Sequence, residues 1–464
     1  MKFLADCFSM AFPLSILLVG GILTVRLKGV QFTRLGTAFK ETLGKVFSRR
    51  EKGRGLSPFQ ASATALAGAL GTGNIAGVAV SLLAGGPGAI FWMWVSAFLG
   101  MAVKYSEILL AVRFQRRDKD GTPSGGPMFY LTQAYRSELP AVFFAGSCAA
   151  ASFGIGSLTQ SGAASEALWA AFGVPRLWVG IAMALLALLV MVGGIRRIGA
   201  VAERIVPMMG IVYLGGALLV LLPRLQELPG VFSLILNDAF SPQAASSGVL
   251  GWLTGRALRV GVSRGVFTNE AGMGSAPIAH GSADAPSPAG EGFWGIVEVF
   301  LDTVIMCTLT AAVILLSGGL SGETDGAALT VTAFRQFLGG GAAGFIAVST
   351  CFFAFSSILC WSCYGEAALK SLSAKKGAIT AYRLLYGASV VLGAVFQLET
   401  VFRLSDFLNF LMALPNLGAL LLLLPIIEQE TAEYFNNLHK KRLGSKKDKA
   451  KFNIKRRKQA IKKA

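Results

Sequence analysis

Two stretches place glycine among polar residues inside otherwise apolar sequence: Gly71-Thr-Gly-Asn74 and Thr268-Asn-Glu-Ala-Gly-Met-Gly-Ser275. The first lies within Phe59–Ala84, an apolar run long enough to cross a bilayer. Glycine costs about 1 kcal/mol relative to alanine in a helix interior, so four glycines from Gly68 to Gly77 make poor helix. Unwound backbone at membrane depth is tolerable only where it is buried in protein or lines a cavity. A helix broken there frees amide N–H groups for an anion and carbonyl groups for a cation. The same glycines would equally suit a small-residue seam between closely packed helices.

The elements that position these stretches follow from composition. The chain has 464 residues, of which 53% are hydrophobic and 15% charged, and its mean hydropathy is +0.59. Such a balance implies a polytopic, all-α membrane protein. Apolar spans are expected at Phe8–Val25, Phe59–Ala84, Ala89–Val112, Ala141–Ala171, Leu177–Val192 and Ala200–Leu222. They continue at Gly248–Ala279, Phe293–Leu316, Phe345–Leu369, Ala378–Phe396 and Thr400–Ile427, the last with Pro415 inside it, for eleven in all. Basic residues in Lys28–Arg54, Arg113–Lys119, Arg196–Arg197 and Lys370–Lys376 mark the cytoplasmic loops. The amino terminus is then outside, Glu323 and Asp325 fall outside, and the Lys440–Lys463 tail is cytoplasmic, in a multi-pass cell-membrane protein. Gly85-Gly-Pro-Gly88 reads as a tight outer turn.

After the first helix, each interrupted segment opens a block of five spans, and an odd number gives the blocks opposite orientations. The expected divisions are 1–57 (extra helix and basic loop), 58–224 (first repeat), 225–245 (extracellular cap), 246–430 (second repeat) and 431–464 (basic tail). Broken helices at matching positions of inverted halves point to a transporter with a midplane site, which favours the ligand reading over the seam.

Gly73-Asn-Ile-Ala-Gly-Val-Ala79, Gly85-Gly-Pro-Gly-Ala-Ile-Phe-Trp-Met-Trp94, Gly125-Gly-Pro-Met128, Asn269-Glu-Ala-Gly-Met-Gly-Ser275 and Trp361-Ser-Cys-Tyr-Gly-Glu366 together resemble the alanine or glycine:cation symporter family. The likeness runs in order over nearly the whole hydrophobic chain. It implies a leucine-transporter-type fold and import of a small neutral amino acid, alanine or glycine, with sodium as coupling ion. A coupling proton, or a larger neutral amino acid such as glutamine, stays open. Cys363 stands where an aromatic is common in the family, a difference of packing more than of chemistry.

A zwitterionic amino acid needs donors for its carboxylate and acceptors for its ammonium. The N–H groups of Thr72, Gly73 and Asn74 suit the carboxylate, since glycine lets ligand and backbone approach closely. Carbonyls around Thr268, Asn269 and Gly272 suit the ammonium. The resemblance implies a sodium held by the carbonyls of Ala67 and Leu70 and the hydroxyls of Ser356 and Ser357, hard oxygen ligands for a hard cation. Back-bonding of those serines to their own helix is the competing reading. Gln160 and Trp361 are expected to wall the pocket, a bulky wall limiting substrate size; packing alone would equally explain Trp361. Acids lie within spans at Glu166, Glu270, Asp302 and Asp406; Glu298 and Asp302, four apart on one helix face, either assist a cation site or brace the unwound segment. Lys104 and Glu107, three apart on one helical face, are expected to pair near the cytoplasmic interface.

Other chemistries drop out. The formal charge of +18 is carried by loops and tail, as for a membrane protein, and gives no nucleic-acid footprint. Cys360-Trp-Ser-Cys363 has redox spacing without a strand–helix context, and two histidines, His280 and His439, are too separated for a metal pair. Gly71-x-Gly73-x-x-Ala76 lacks the strand and the downstream acid of a dinucleotide site. There is no phosphate loop, no G-x-S-x-G, no H-E-x-x-H and no T-V-G-Y-G, which disfavours an ATPase, an enzyme and a channel. Sodium apart, no cofactor is implied, and no obligatory protein partner is evident.

Overall fold

A computed structural model describes residues 2–46, 53–118, 121–240, 255–321, 326–373, 375–396 and 398–440. The expectations for Glu323, Asp325 and the tail beyond Lys440 lie outside these residues. The described chain is almost wholly helical; β structure is a two-residue antiparallel pair, Arg116–Arg117 with Pro123–Ser124, and one bridge between Leu56 and Ala283. Among the described residues, seven helices are long and apolar enough to cross a membrane: Gly88–Arg113, Leu139–Phe172, Gly194–Arg224, Pro288–Leu316, Ala328–Leu372, Lys376–Val395 and Ser405–Leu422. Shorter apolar helices are Ala11–Arg26, Ala76–Gly85, Arg176–Met191 and Leu228–Ala239. Arg196 and Arg197, expected in a loop, lie in the first turn of the helix that begins at Gly194. The last span passes through Pro415 unbroken, turns at Leu423 and continues as a helix over 424–440.

Both glycine-bearing stretches interrupt helices. The first consists of Pro58–Ala69 and Ala76–Gly85, the second of Arg256–Asn269 and Ala276–His280. Ser57 and Gln60 start the first with a reciprocal capping box, and Pro58 takes the first helical position. The two interrupted helices run in opposite directions. Leu56, just before the first, exchanges backbone bonds with Ser282 and Asp284, just after the second. At the far end Gly85 abuts Val260, leaving a Cβ there only 3.0 Å from the valine.

Around this centre, Gly88–Arg113 packs on Pro288–Val299, Ala342–Leu372 on Leu139–Phe172, and Arg176–Met191 on Lys376–Val395. Small residues bring the last pair close: a Cβ on Gly180 would fall 2.7 Å from that of Ala394. Leu185, Leu189, Leu384 and Leu385 point out of this pair as an apolar rim suited to lipid.

Basic segments gather at one end. Arg117 pairs with Asp284 at 3.4 Å, Arg196 donates to Thr122 at 3.1 Å, and Arg26 and Arg113 pair with Glu428 and Glu430 at 2.7 Å. At the other end Leu228–Ala239 caps the turn after the first interrupted helix. There Gly86 adopts φ +76° and Gly88 N donates to Asp238 Oδ2 at 2.7 Å.

Candidate functional site

The first break is built around Leu70. Its φ of −70° and ψ of 73° form an inverse γ-turn, with Gly71 N donating to Ala69 O at 2.7 Å. One 3-10 turn, Thr72–Asn74, follows before the helix resumes at Ala76. Neither Gly71 nor Gly73 has a positive φ, so here glycine serves close approach. A Cβ on Gly71 would lie 2.8 Å from Ser357 Oγ and 3.1 Å from Gln160 Oε1; one on Gly73 would lie 2.8 Å from Thr268 Cγ2.

Three expected site residues meet in that space. Gln160 Oε1 accepts from Thr72 N at 3.2 Å and from Thr72 Oγ1 at 3.1 Å, and Gln160 Nε2 donates to Ile155 O at 3.1 Å. Ile155 belongs to a π-helical segment, Ser152–Leu158. Such segments loosen the i→i+4 ladder and recur at functional sites. A second one, Phe300–Cys307, carries Asp302 and Thr303.

Asn74 ties the first break to that second segment. Its Nδ2 donates to Asp302 Oδ1 at 2.7 Å and to Asp302 O at 3.2 Å, while its Oδ1 is buried with no partner. Thr303 Oγ1 donates to Asp302 Oδ2 at 2.7 Å and accepts from Asn269 Nδ2 at 3.2 Å; Thr268 Oγ1 lies 3.4 Å from Thr303 Oγ1. First break, second break and π segment thus share one wholly buried polar corner.

The expected sodium ligands divide. Ser357 Oγ donates to Ala67 O at 2.8 Å, beside Leu70 and Gly71. Ser356 instead donates to Phe353 O at 2.8 Å and lies against Met209, so its hydroxyl is turned away from Ala67. The backbone acceptors expected for an ammonium are also in use. Lys104 Nζ donates to Asn269 O at 3.0 Å, and Asn416 Nδ2 donates to Gly272 O at 2.9 Å. Trp361 is fully buried, its Nε1 donating to Glu270 Oε1 at 2.9 Å, and Ser275 Oγ donates to Glu270 Oε2 at 2.6 Å. Glu270 lies across the first broken helix, 3.1 Å from where a Gly68 Cβ would be.

Lys104 and Glu107 do not pair with each other at an interface. Both are fully buried and reach different groups of the second break, because the helix carrying them packs along it. His280, set aside in the sequence, bridges Glu291 Oε1 at 2.7 Å through Nδ1 and Glu298 Oε1 at 2.8 Å through Nε2. Its only sequence signal was position, five residues beyond the second break.

Comparison with known proteins decides the family. The model of the sodium:alanine symporter family matches residues 3–449. The chain belongs to that family. The symporter is 39% identical to the "Sodium/alanine symporter AgcS" of Methanococcus maripaludis over 92% of its own length and 95% of that protein. It is 43% identical to an "Uncharacterized transporter" of Haemophilus influenzae over 93% and 95%. It is 36% identical to the "Probable sodium/glutamine symporter GlnT" of Bacillus subtilis over 89% and 85%. It is therefore a multi-pass membrane transporter that carries an amino acid together with a cation, and not an enzyme.

A cavity of about 440 Å³ opens at the symporter's basic end. Arg116, Asp118, Glu138, Ser282, Cys363 and Glu366 are among its lining residues. Cys363 lies on the same helix as Trp361, two residues beyond it.

Proposed function

We propose that this protein imports alanine or glycine together with sodium by alternating access, at the corner where the two oppositely running broken helices meet. The observation that carries this reading is the convergence of Thr72 with Gln160, Gly73 with Thr268 and Asn74 with Asp302. The substrate carboxylate is assigned to the backbone of Thr72, Gly73 and Asn74, with Gln160 releasing Thr72 as it binds. Since the Asn269 and Gly272 carbonyls are occupied, the ammonium is assigned to Asn74 Oδ1, Thr268 and the Asp302 carboxylate. Sodium is assigned to Ala67, Leu70 and Ser357, with the Ser356 hydroxyl left on Phe353. Trp361, fixed on Glu270, limits the size of the side chain admitted.

Residues 58–224 and 246–430 are read as inverted five-helix units within eleven spans. Support comes from the opposed broken helices and from the way second, third and fourth helices of each unit pack on their counterparts. The gathering of basic segments supports a cytoplasmic carboxyl end and an external amino end. The cavity at the basic end is read as the cytoplasmic vestibule.

Purified protein in liposomes tests this reading. Alanine should accumulate uphill when sodium is imposed outside and should not accumulate under a proton gradient at equal sodium. The opposite result would favour a second reading, suggested by Glu270 and Asp302, in which a carboxylate carries a coupling proton. Accumulation of glutamine with exclusion of alanine would overturn the substrate assignment.

A further inference from the structure

The second break is held by side chains, and two of them come from one helix. Asn269 ends a half-helix, so its carbonyl is among the acceptors that a helix end leaves unpaired, at the negative end of the dipole. Lys104 Nζ occupies that carbonyl at 3.0 Å. Beyond the turn, Gly272 at φ +84° and Gly274 at φ +76° aim their N–H groups at one carboxylate. Gly272 N donates to Glu107 Oε2 at 3.2 Å, and Gly274 N donates to Glu107 Oε1 at 3.0 Å. Nearby amides turned inward in this way make an anion-binding concavity. A cation therefore sits on the carbonyl side of the break and an anion on its amide side, from residues three apart on Gly88–Arg113.

We propose that Lys104 and Glu107 are positioning residues for transport: a charged splint that fixes the second break so that Thr268 and Glu270 face the substrate corner. This rests on the reading of that corner as the transport centre. Both ends of the splint are anchored. Lys104 pairs with Glu298 at 3.3 Å, and Glu298 is held by His280, itself just past the second break. Glu107 also accepts from Asn416, whose Oδ1 accepts from Tyr130. Between the two ends stands Glu270, a non-glycine residue at φ +58°. Such a conformation persists only where the surroundings over-determine it, and the splint supplies that constraint from both sides. The result is that the Glu270 carboxylate points to Trp361 and Gly68.

The test uses full-length purified protein, with Glu107→Gln, Lys104→Arg and the double variant Lys104→Met/Glu298→Gln, which removes the ammonium without stranding its acid. Leu109→Ala, a buried apolar truncation on the same helix, controls for general destabilisation. Three quantities are read: alanine affinity in sodium, ligand-free thermal stability, and hydrogen exchange of amides 268–275. Glu107→Gln and the double variant should weaken alanine binding tenfold or more and speed exchange at Gly272 and Gly274. Lys104→Arg, which keeps a donor, should restore most of the affinity. Leu109→Ala should lower stability and leave affinity within twofold. Unchanged exchange at Gly272 and Gly274 in Glu107→Gln, or unchanged alanine affinity in a folded double variant, would overturn the splint. If wild-type protein binds no small neutral amino acid, the transport-centre reading fails. The exchange measurement then still decides whether the splint exists.

Discussion

Gly73→Ala is the sharpest probe of the proposed substrate corner. The new methyl would stand 2.8 Å from Thr268 Cγ2, closer than such carbons approach, so one side has to move. Thr268 cannot rotate freely, because its hydroxyl is bound 2.8 Å from Gly265 O. The displacement therefore falls on the first break. Overpacking of this kind costs about 1–3 kcal/mol. Alanine returns about 0.4–1 kcal/mol through the unfolded chain, since φ at this position is not positive. The net loss of about 1–2 kcal/mol corresponds to roughly 5–30-fold in an equilibrium constant. That net loss is read in the ligand-free melting temperature, and affinity should fall as well, because Thr72 and Asn74, assigned to the substrate, flank the displaced residue. Thr268→Ser removes the opposing methyl and keeps the hydroxyl. Equilibrium binding of alanine to wild type, both single variants and the double variant completes a cycle, with ligand-free melting temperatures alongside. An interaction of about 1 kcal/mol or more is expected, within the range seen for contacting residues. A stable Gly73→Ala protein with unchanged affinity would refute the placement, and so would a double variant that regains nothing.

Ser357→Ala should raise the sodium concentration for half-maximal uptake by about tenfold or more, in keeping with the roughly 1.5–3 kcal/mol of a bond to a charged group. Ser356→Ala should change it less than about twofold, because that hydroxyl already bonds within its own helix; equal effects would show that both coordinate. Gly156→Ala puts a carbon 2.3 Å from Trp361 Cβ and should lower stability by about 1–3 kcal/mol, read as a fall in melting temperature; an unchanged melt would place Trp361 elsewhere. A membrane-impermeant maleimide should label Asn237→Cys from outside intact cells and Arg117→Cys only after permeabilisation. The reverse pattern would invert the topology.

Glycine density located both breaks, because the cost of glycine in a helix is a local property that sequence carries directly. Spacing alone could not say which groups the breaks leave free. Gly272 and Asn269 looked like acceptors for a ligand until Asn416 and Lys104 were seen to occupy them, and those partners are 144 and 165 residues away in the chain. Lys104 and Glu107 were visible as helical neighbours. Their true partners lie across a helix–helix contact that periodicity does not specify. The two π-helical segments were also hidden. An extra residue in a turn leaves no compositional mark, yet it presents Ile155 O to Gln160 and places Asp302 beside Asn74. Ser356 and Ser357 show the same limit from the other side: adjacent residues on a helix differ by about 100° in direction, so only one of them could face Ala67.

The balance of charge in the interior bears on the proposal that a cationic ligand binds beside the first break. Among the described residues, Glu291 and Glu298 are matched by His280 and Lys104, which touch them directly. Glu107 is answered by two amides and Asn416 at the start of the next half-helix. Glu270 and Asp302 resemble Glu107 in this. Their bonds come from neutral groups: Trp361 and Ser275 for the first, Asn74 and Thr303 for the second. Neutral donors orient a carboxylate but do not cancel its charge, and an acid at membrane depth costs about 2.5–3.5 kcal/mol on the insertion scale. Lys104 donates to Asn269 and pairs with Glu298, and its charge also acts through space on Glu270 and Asp302. The five buried acids near the breaks, Glu107, Glu270, Glu291, Glu298 and Asp302, outnumber Lys104 and His280, so a cation entering beside Asn74 and Thr268 gains net attraction. An ammonium and a sodium ion would each supply part of the missing charge, and the excess of acids offsets the repulsion between the two cations. That is the electrostatic condition for carrying them together.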